Sequence, residues 1–477
     1  MRRTKIVITL GPATDTPRVI EGLIKVGVDV FRLNFSHGSA EDHKNRVKLI
    51  REQAEKLNAV VGILGDLQGP KIRTQRFKNN AVKLKKGNTF VFDMALGENE
   101  GDENRVGVTY KQLSEDVSPG DTLVLDDGRL VMRVDDIEGH EVRTTVEVGG
   151  ELSNNKGINL KGGGLSAPAI AEKDRKDIAL AAELGLDFLA VSFPRSADDI
   201  HLARSLVREA GGRAHIVAKI ERAEALGDID AILDATDVIM VARGDLGVEI
   251  GDAELPAVQK DLINRARTAN KIVITATQMM ESMIQNPIPT RAEVFDVANA
   301  VLDGADAVML SGETAVGKFP VKAVQAMSEI CEVAEQHPAA RKSYHRLDTQ
   351  FEEVDESIAM ATMYTANHLR VTAIAALTES GRTTRWMSRI SSIIPIYALT
   401  SHDTTCRKTT LYRGVYPIKF HPKHENVTEI NRDVMRLLNM RGKAGKGDLV
   451  IITKGDVMGV DGGTSSLKIA RMEDWVE

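Results

Sequence analysis

Over most of this chain, short and wholly apolar runs alternate with longer stretches in which apolar residues recur at helical spacing. A run that is apolar throughout, rather than at every second position, suits a strand buried on both faces of a parallel sheet. Such runs stand at 5–9, 30–33 and 61–64, with helices predicted over 17–26 and 40–57. The pattern then breaks. From 71 to 166 the chain is rich in β-branched residues and in turn signals such as Lys86-Gly87-Asn88, Ser118-Pro119-Gly120-Asp121 and Asp126-Asp127-Gly128. Without a useful helical period, that stretch predicts a small all-β domain. The alternation resumes with strands at 188–191, 215–220, 238–241, 272–276 and 307–310. Helices are predicted over 172–184, 197–209, from Ala223 onward, and over 256–269, 291–302 and 320–336. Eight strands, each followed by a helix, with one inserted domain predict a (β/α)₈ TIM barrel. A doubly wound open sheet is the competitor, because periodicity cannot show closure; the count favours the barrel.

The stretch 341–356 is polar and reads as a linker. Beyond it a third α/β unit is predicted. Its helices lie at 357–368, 383–391 and 427–439, its strands at 372–377, 394–399, 415–420 and 448–453, and an edge strand at 466–472. The expected division is therefore a barrel from 1–70 and 167–340, an inserted β lid at 71–166, the linker, and a C-terminal α/β domain at 357–477.

Candidate chemistry gathers where the barrel strands end. Reading each strand into its loop gives Arg32 with Asn34, Asp66, Ser192, Lys219 with Glu221, Arg243 with Asp245, Thr275 with Thr277, and Ser311 with Glu313. One such ending is an ordinary solvated loop start, but in a barrel these ends share the face on which active sites are built. In 237–250, DVIMVARGDLGVEI, Gly244 admits close backbone approach to a ligand and Asp245 can hold a metal. The plain alternative is a strand-to-loop turn with two solvated charges. Lys219 and Glu221, two residues apart, point to the same side of the pleat. With Asp245 they supply one lysine and two carboxylates; two carboxylates are the usual protein share of a Mg²⁺ site, and no His/Cys cluster has zinc spacing. A structural Lys219–Glu221 ion pair is the alternative. Arg32, in FRLNFSHG with Asn34, Ser36 and His37, is a natural phosphate clamp. Arg73 follows a candidate hinge at Gly69-Pro70, and Lys156 sits in a glycine-containing turn near the other edge of the β domain. A basic group on a hinged domain can close over a phosphorylated ligand; a solvated lysine is the alternative for Lys156. In the last domain TESGRTT, 378–384, follows a strand and opens a helix. Its backbone N–H groups with Ser380, Gly381, Arg382 and Thr383 form a candidate phosphate turn, against a simple helix cap.

Composition narrows this picture. A length of 477 residues suggests about three domains. A net charge of −6 gives no general attraction to nucleic acid or anionic membrane, so affinity for phosphate must be local. Two cysteines, Cys331 and Cys406, fit a reducing compartment. The apolar run after the basic start is too short for a signal peptide, and no run has membrane-spanning length. A soluble, cytoplasmic protein is expected.

Taken together, the motifs resemble the pyruvate kinase family over essentially the whole chain. They are KIVITLGP, FRLNFSHG, GDLQGPKIR, NKGINL, AKIER, VIMVARGDLGVEI, TATQMMESM, PTRAEVFDVANAVLDGADAVMLSGETAVGKFP and TESGRTT. The resemblance implies a barrel with a β lid and a regulatory α/β domain. It also implies transfer of the phosphoryl group of phosphoenolpyruvate to ADP, giving pyruvate and ATP at the end of glycolysis. Carried over by position, it makes Glu221 and Asp245 ligands of Mg²⁺ or Mn²⁺, and the N–H groups of Gly244 and Asp245 receptors of the substrate carboxylate. Lys219 would face the transferring phosphoryl group, and Thr277 would place substrate and the water that protonates the enolate. Ser311 and Glu313 are candidates for that proton path. Arg32, Asn34, His37, Arg73 and Lys156 would serve the phosphoryl group and nucleotide, with Ser36 beside them.

One departure from the family pattern bears on cofactors. Many members hold K⁺ at positions matching Asn34, Ser36, Asp66 and the carbonyl of residue 67, with Glu at the position of Lys71. Here GDLQGPKIR carries Leu67 and Lys71, and a Lys71 ammonium would replace the missing positive charge, so K⁺ is expected not to be required. The resemblance further implies a phosphorylated effector, of the sugar-phosphate or AMP kind, at Thr378, Ser380, Gly381, Arg382 and Thr383, and a homotetramer. Rival readings are another Mg²⁺-dependent barrel acting on phosphoenolpyruvate or a keto acid, such as a lyase, and a non-catalytic metabolite sensor.

Overall fold

The structure, a computed structural model, describes residues 1–70, 72–341, 350–424, 426–457 and 459–475. Eight parallel strands form a closed barrel: β1 Lys5–Thr9, β2 Val30–Asn34, β3 Gly62–Asp66, β4 Phe188–Val191, β5 His215–Ile220, β6 Val238–Ala242, β7 Ile272–Ala276 and β8 Ala307–Leu310. β1 pairs with both β2 and β8, and this closure excludes the open sheet.

The two-residue period of a strand decides what faces inward. On β5, Ile216, Ala218 and Ile220 pack outward with the helices, while Val217 belongs to the inner cluster. Lys219 and then Glu221 continue that inner face toward the C-terminal mouth. On β2 the same alternation sends Phe31 and Leu33 outward and Val30 inward, with Arg32 one step above it. On β3 it sets Asp66 above Leu64. The inner face is thus apolar low in the barrel and charged at the C-terminal rim.

Between β3 and β4 the inserted segment forms a six-stranded sheet and a two-stranded sheet. Its own apolar core includes Phe90, Phe92, Leu123 and Met132. The chain leaves the barrel through Gly69, at φ +64°, where an added Cβ would meet Ser192 Cβ at 2.8 Å. Only glycine fits that turn. The insertion returns to the barrel through Arg222 Nη1, which donates to Leu165 O at 2.9 Å, and through Gly162 N–H, which donates to Glu249 O at 3.1 Å.

The C-terminal sheet runs Val415–Lys419, Ile396–Thr400, Ala373–Leu377, Leu449–Gly455, Thr464–Arg471, with the last strand antiparallel. Several elements differ from expectation: the insertion expected to be all-β contains the short helix Leu113–Asp116, and the helix expected from Ala223 is two, Ala223–Gly227 and Ile229–Ala235. Arg243–Ile250, expected to leave the strand as a turn or loop, is an eight-residue helix that starts directly at the end of β6. Asp403–Thr409 is a helix where none was predicted. Half of the expected 341–356 linker, 342–349, lies outside the described residues, and its last three residues already belong to the helix Val354–His368.

This domain docks at the N-terminal end of the barrel, opposite the charged rim. Lys5 Nζ donates to Val415 O at 2.6 Å, and Arg407 Nε to Asp187 Oδ1 at 2.7 Å. Arg389 pairs with Asp306 through both Nη atoms, and each side chain is 1% exposed. Removing one member of a buried pair leaves the other charge uncompensated. Asp306→Ala is therefore expected to cost about 3–5 kcal/mol, read as a lower urea midpoint by circular dichroism. Arg389→Leu combined with Asp306→Leu should recover most of that loss.

Candidate active site

An open pocket of about 620 Å³ lies at the C-terminal rim of the barrel. Arg32, Asn34, Ser36, His37, Asp66 and Leu67 line one side, Arg73 enters from the insertion, and Lys219, Glu221, Asp245 and Thr277 form the far wall. Residues far apart in sequence meet here because each lies at or just past a strand end.

At its floor lies a compact charge cluster. Arg32 Nε donates to Asp66 Oδ2 at 2.6 Å, and Arg32 Nη1 to Thr9 Oγ1 at 2.9 Å. Lys219 Nζ stands 3.3 Å from Asp66 Oδ1, 2.9 Å from Glu221 Oε1 and 2.8 Å from Ser192 Oγ. Burial alone would raise the Asp66 carboxyl, but Arg32 and Lys219 outweigh it and hold it below its ordinary value. Burial likewise opposes the Lys219 ammonium, yet Asp66 and Glu221 hold its pKa above the usual lysine value. Glu221 behaves differently. Burial, opposed by Lys219 and reinforced by nearby Asp245, pushes its carboxyl up to about 7. Such perturbed, mutually coupled groups in a cleft mark a functional site. The Lys219–Glu221 ion pair weighed as an alternative is present, and it lies inside the pocket.

A second feature is backbone strain at the mouth. Thr277 and Gln278 have φ +66° and +53°, a left-handed pair that begins with a β-branched residue. Arg243 holds this turn: its Nε and Nη2 donate to Thr277 O at 3.2 and 2.7 Å, and its Nη1 to Asp296 Oδ1 at 2.7 Å. Arg243 is therefore a clamp on the loop and is absent from the pocket lining. Gly244 N–H donates to Thr277 Oγ1 at 2.8 Å, so it is already engaged. A Cβ at Gly244 would sit 3.5 Å from that hydroxyl, an ordinary contact, so neighbouring protein atoms do not themselves require a glycine here.

Other expected residues lie apart from the pocket. Lys156 Nζ pairs with Asp126 Oδ1 at 2.7 Å within the insertion. Glu313 accepts backbone N–H groups from Met280 at 3.0 Å and Ser311 at 2.7 Å, while Ser311 Oγ is buried with no hydrogen-bond partner. Lys71 is outside the described residues. In the C-terminal domain, Thr378, Ser380, Arg382 and Thr383 line a recess of about 340 Å³, facing the 455–464 loop. Ser380 Oγ donates to Asp461, Gly381 N–H donates to Thr378 Oγ1 at 3.0 Å, and Arg382 Nε lies 3.1 Å from Asp355 Oδ2.

Sequence reasoning assigned no role to Ser192 or Phe193. Ser192 Oγ accepts from Lys219 and donates to Leu67 O at 2.7 Å; Phe193 N–H donates to Glu221 Oε2 at 2.8 Å. The polar end of β4 was the available signal for Ser192. Nothing in the sequence marked the backbone N–H of Phe193. Glu221 and Asp245 both line the pocket, and no group of three or more His, Cys, Asp or Glu suited to a metal gathers among the described residues. No helix among those residues is long and apolar enough to cross a membrane.

Comparison with known proteins accounts for both units. The family model described as "Pyruvate kinase, barrel domain" matches residues 1–324, and "Pyruvate kinase, alpha/beta domain" matches 356–470. Pyruvate kinase II of Salmonella typhimurium is 57% identical over 477 residues, covering 99% of each chain. A pyruvate kinase of Haemophilus influenzae is 54% identical over 459 residues, covering 95% of this chain and 96% of its own. One from Mycobacterium tuberculosis is 42% identical over 472 residues, covering 99% and 98%. The chain belongs to the pyruvate kinase family.

Proposed function

We propose that this protein transfers the phosphoryl group of phosphoenolpyruvate to ADP, giving pyruvate and ATP, with Mg²⁺ or Mn²⁺ as cofactor. The observation that carries the reading is the paired cluster Arg32–Asp66–Lys219–Glu221 at the base of an open pocket. Phosphoryl transfer depends on positioning and electrostatic stabilisation more than on covalent help from the protein. Asp66 and Thr9 fix the Arg32 guanidinium, and two carboxylates keep Lys219 charged, so both cations meet a phosphorylated substrate already oriented.

Glu221 and Asp245 fit a divalent cation, because a positive charge there would offset the burial of the Glu221 carboxylate, the main cause of its raised pKa, and the added repulsion from Asp245. Two acids leave most of the coordination sphere to water and substrate oxygens, as Mg²⁺ prefers. When bound, Mg²⁺ neutralises charge on the substrate and nucleotide oxygens. The N-terminus of the Arg243–Ile250 helix favours an anion at the mouth and suits the substrate carboxylate, with the Asp245 N–H and, once it leaves Thr277 Oγ1, the Gly244 N–H as donors. Lys219 stabilises the enolate as it forms. Thr277 Oγ1, held in its strained turn, orients the water that protonates the enolate, with Ser311 and Glu313 behind it as the proton path. Asn34, Ser36, His37, Arg73 and Lys156 serve the nucleotide side, the last two as the 71–166 lid closes.

K⁺ is not required in this reading. Asp66 already faces two cations, and the Leu67 carbonyl is taken by Ser192. The Lys71 ammonium supplies the further charge. A phosphorylated effector, a sugar phosphate or AMP, binds at Thr378, Ser380, Gly381, Arg382 and Thr383 by displacing Asp461 from Ser380. The active form is a cytoplasmic homotetramer. The exposed Ile288 and Phe295, each 71% accessible, offer apolar surface that neighbouring subunits would cover.

A lactate dehydrogenase-coupled assay tests the reaction directly. In K⁺-free, tetramethylammonium-balanced buffer with Mg²⁺, pyruvate should form only when both phosphoenolpyruvate and ADP are present. Pyruvate formation independent of ADP would mean transfer of the phosphoryl group to water, a phosphatase instead, while a large stimulation by K⁺ would refute K⁺ independence alone. At low phosphoenolpyruvate, titration with sugar phosphates and AMP should lower the half-saturating substrate concentration for at least one of them. No response to any would remove the effector site from the account.

A further inference from the structure

At the base of the barrel, where the C-terminal domain docks, four guanidinium groups line one small, partly open recess. Arg3 comes from the start of the chain, Arg267 from the barrel helix Leu255–Thr268, and Arg389 and Arg413 from the C-terminal domain. Two of them have acid partners. Arg389 grips Asp306, which also accepts the Val273 N–H at 3.0 Å. Arg3 Nε lies 3.4 Å from Glu335 Oε2, and that carboxylate also accepts the backbone N–H groups of Arg3 and Thr4. Both carboxylates are therefore fully engaged.

Arg267 and Arg413 have no acid partner among the described residues. Arg267 Nη2 reaches only the Arg389 carbonyl, at 3.4 Å. Arg413 Nη1 makes two long contacts, to Val301 O at 3.3 Å and Ala305 O at 3.5 Å, while its Nη2 is buried with no hydrogen-bond partner. Burial pulls Arg413 down to about 10 and lowers Arg267 as well, where Arg389 adds repulsion. A buried donor left unmade and cations left unpaired are both costly. A recess holding more guanidinium than carboxylate charge is matched by an oxyanion, whose oxygens fit the planar fork of arginine.

We propose that this recess binds one small inorganic oxyanion, of the phosphate or sulfate class, held between Arg267 of the barrel and Arg413 of the C-terminal domain. It is separate from the pocket at the strand ends and from the Ser380–Thr383 recess. Because the two arginines approach from opposite sides of the junction, the bound ion ties the domains together, and binding to the folded state alone stabilises it.

Thermal melting of the full chain tests this, with phosphate, sulfate or a sugar phosphomonoester added to chloride buffer at constant ionic strength. Inorganic phosphate and sulfate should raise the melting temperature saturably. The rise should persist in Ser380→Ala/Thr383→Ala and be lost in both Arg267→Met and Arg413→Met. In chloride alone, Arg413→Met should melt no lower than the parent, since it removes an uncompensated charge. An equal rise in the parent and the arginine variants, no rise in the parent, or a response to the phosphomonoester alone would overturn the proposal. If Arg413→Met fails to fold, Arg267→Met on the barrel side decides the outcome by itself.

Discussion

Charge neutrality inside the barrel mouth is the constraint from which the rest of this structure follows. Arg32 and Lys219 are nearly buried, and each would be costly there alone. Asp66 lies between them, bonded to one and 3.3 Å from the other, and Glu221 completes the set from the far side of Lys219. The arrangement pairs both cations and holds the Lys219 pKa above its usual value without flexible side chains reaching in from solvent. Burial, reinforced by the negative charge of Asp245, then pushes Glu221 up to about 7. A site tuned in this way is neutral enough to fold and polar enough to meet a doubly charged metal and a phosphorylated substrate.

The barrel delivers these groups through the two-residue repeat of its strands. Val217, Lys219 and Glu221 share one face of β5, and Val30 and Arg32 share one face of β2, so a single register fixes both the apolar floor and the charged rim. A slip by one residue would send Lys219 outward among the helices. The turn at Thr277 is held by a different device, with Arg243 and Gly244 gripping its carbonyl and hydroxyl. The C-terminal domain meets the opposite end of the barrel through Arg389–Asp306 and Lys5–Val415.

Much of this was legible in the sequence because parallel barrel strands are apolar on both faces and stop abruptly at a polar residue. The strand ends at Arg32, Asp66, Ser192, Lys219 and Glu221 could be read for that reason. The Arg243–Ile250 helix could not, because it begins without a side-chain cap directly after β6, and its glycines resemble a loop. Asp66 was expected at a monovalent-cation position, and its partnership with Arg32 and Lys219 depends on a three-dimensional register that spacing does not encode. The ties of Lys156 to Asp126 and of Ser380 to Asp461 are long-range contacts between loops, which periodicity does not reach. Long ungapped motifs supplied the family where residue-level chemistry alone left alternatives open.

Lys219 is the point at which the account is most exposed, since its charge is what Asp66 and Glu221 are arranged to maintain. The decisive measurement is kcat for Lys219→Met beside Lys219→Arg, with both folds checked by circular dichroism and melting. The account predicts a loss of phosphoryl transfer of at least about 10²–10³-fold in Lys219→Met, with Lys219→Arg folded and retaining more activity than Lys219→Met. A folded Lys219→Met with turnover within a few-fold of the parent would contradict it.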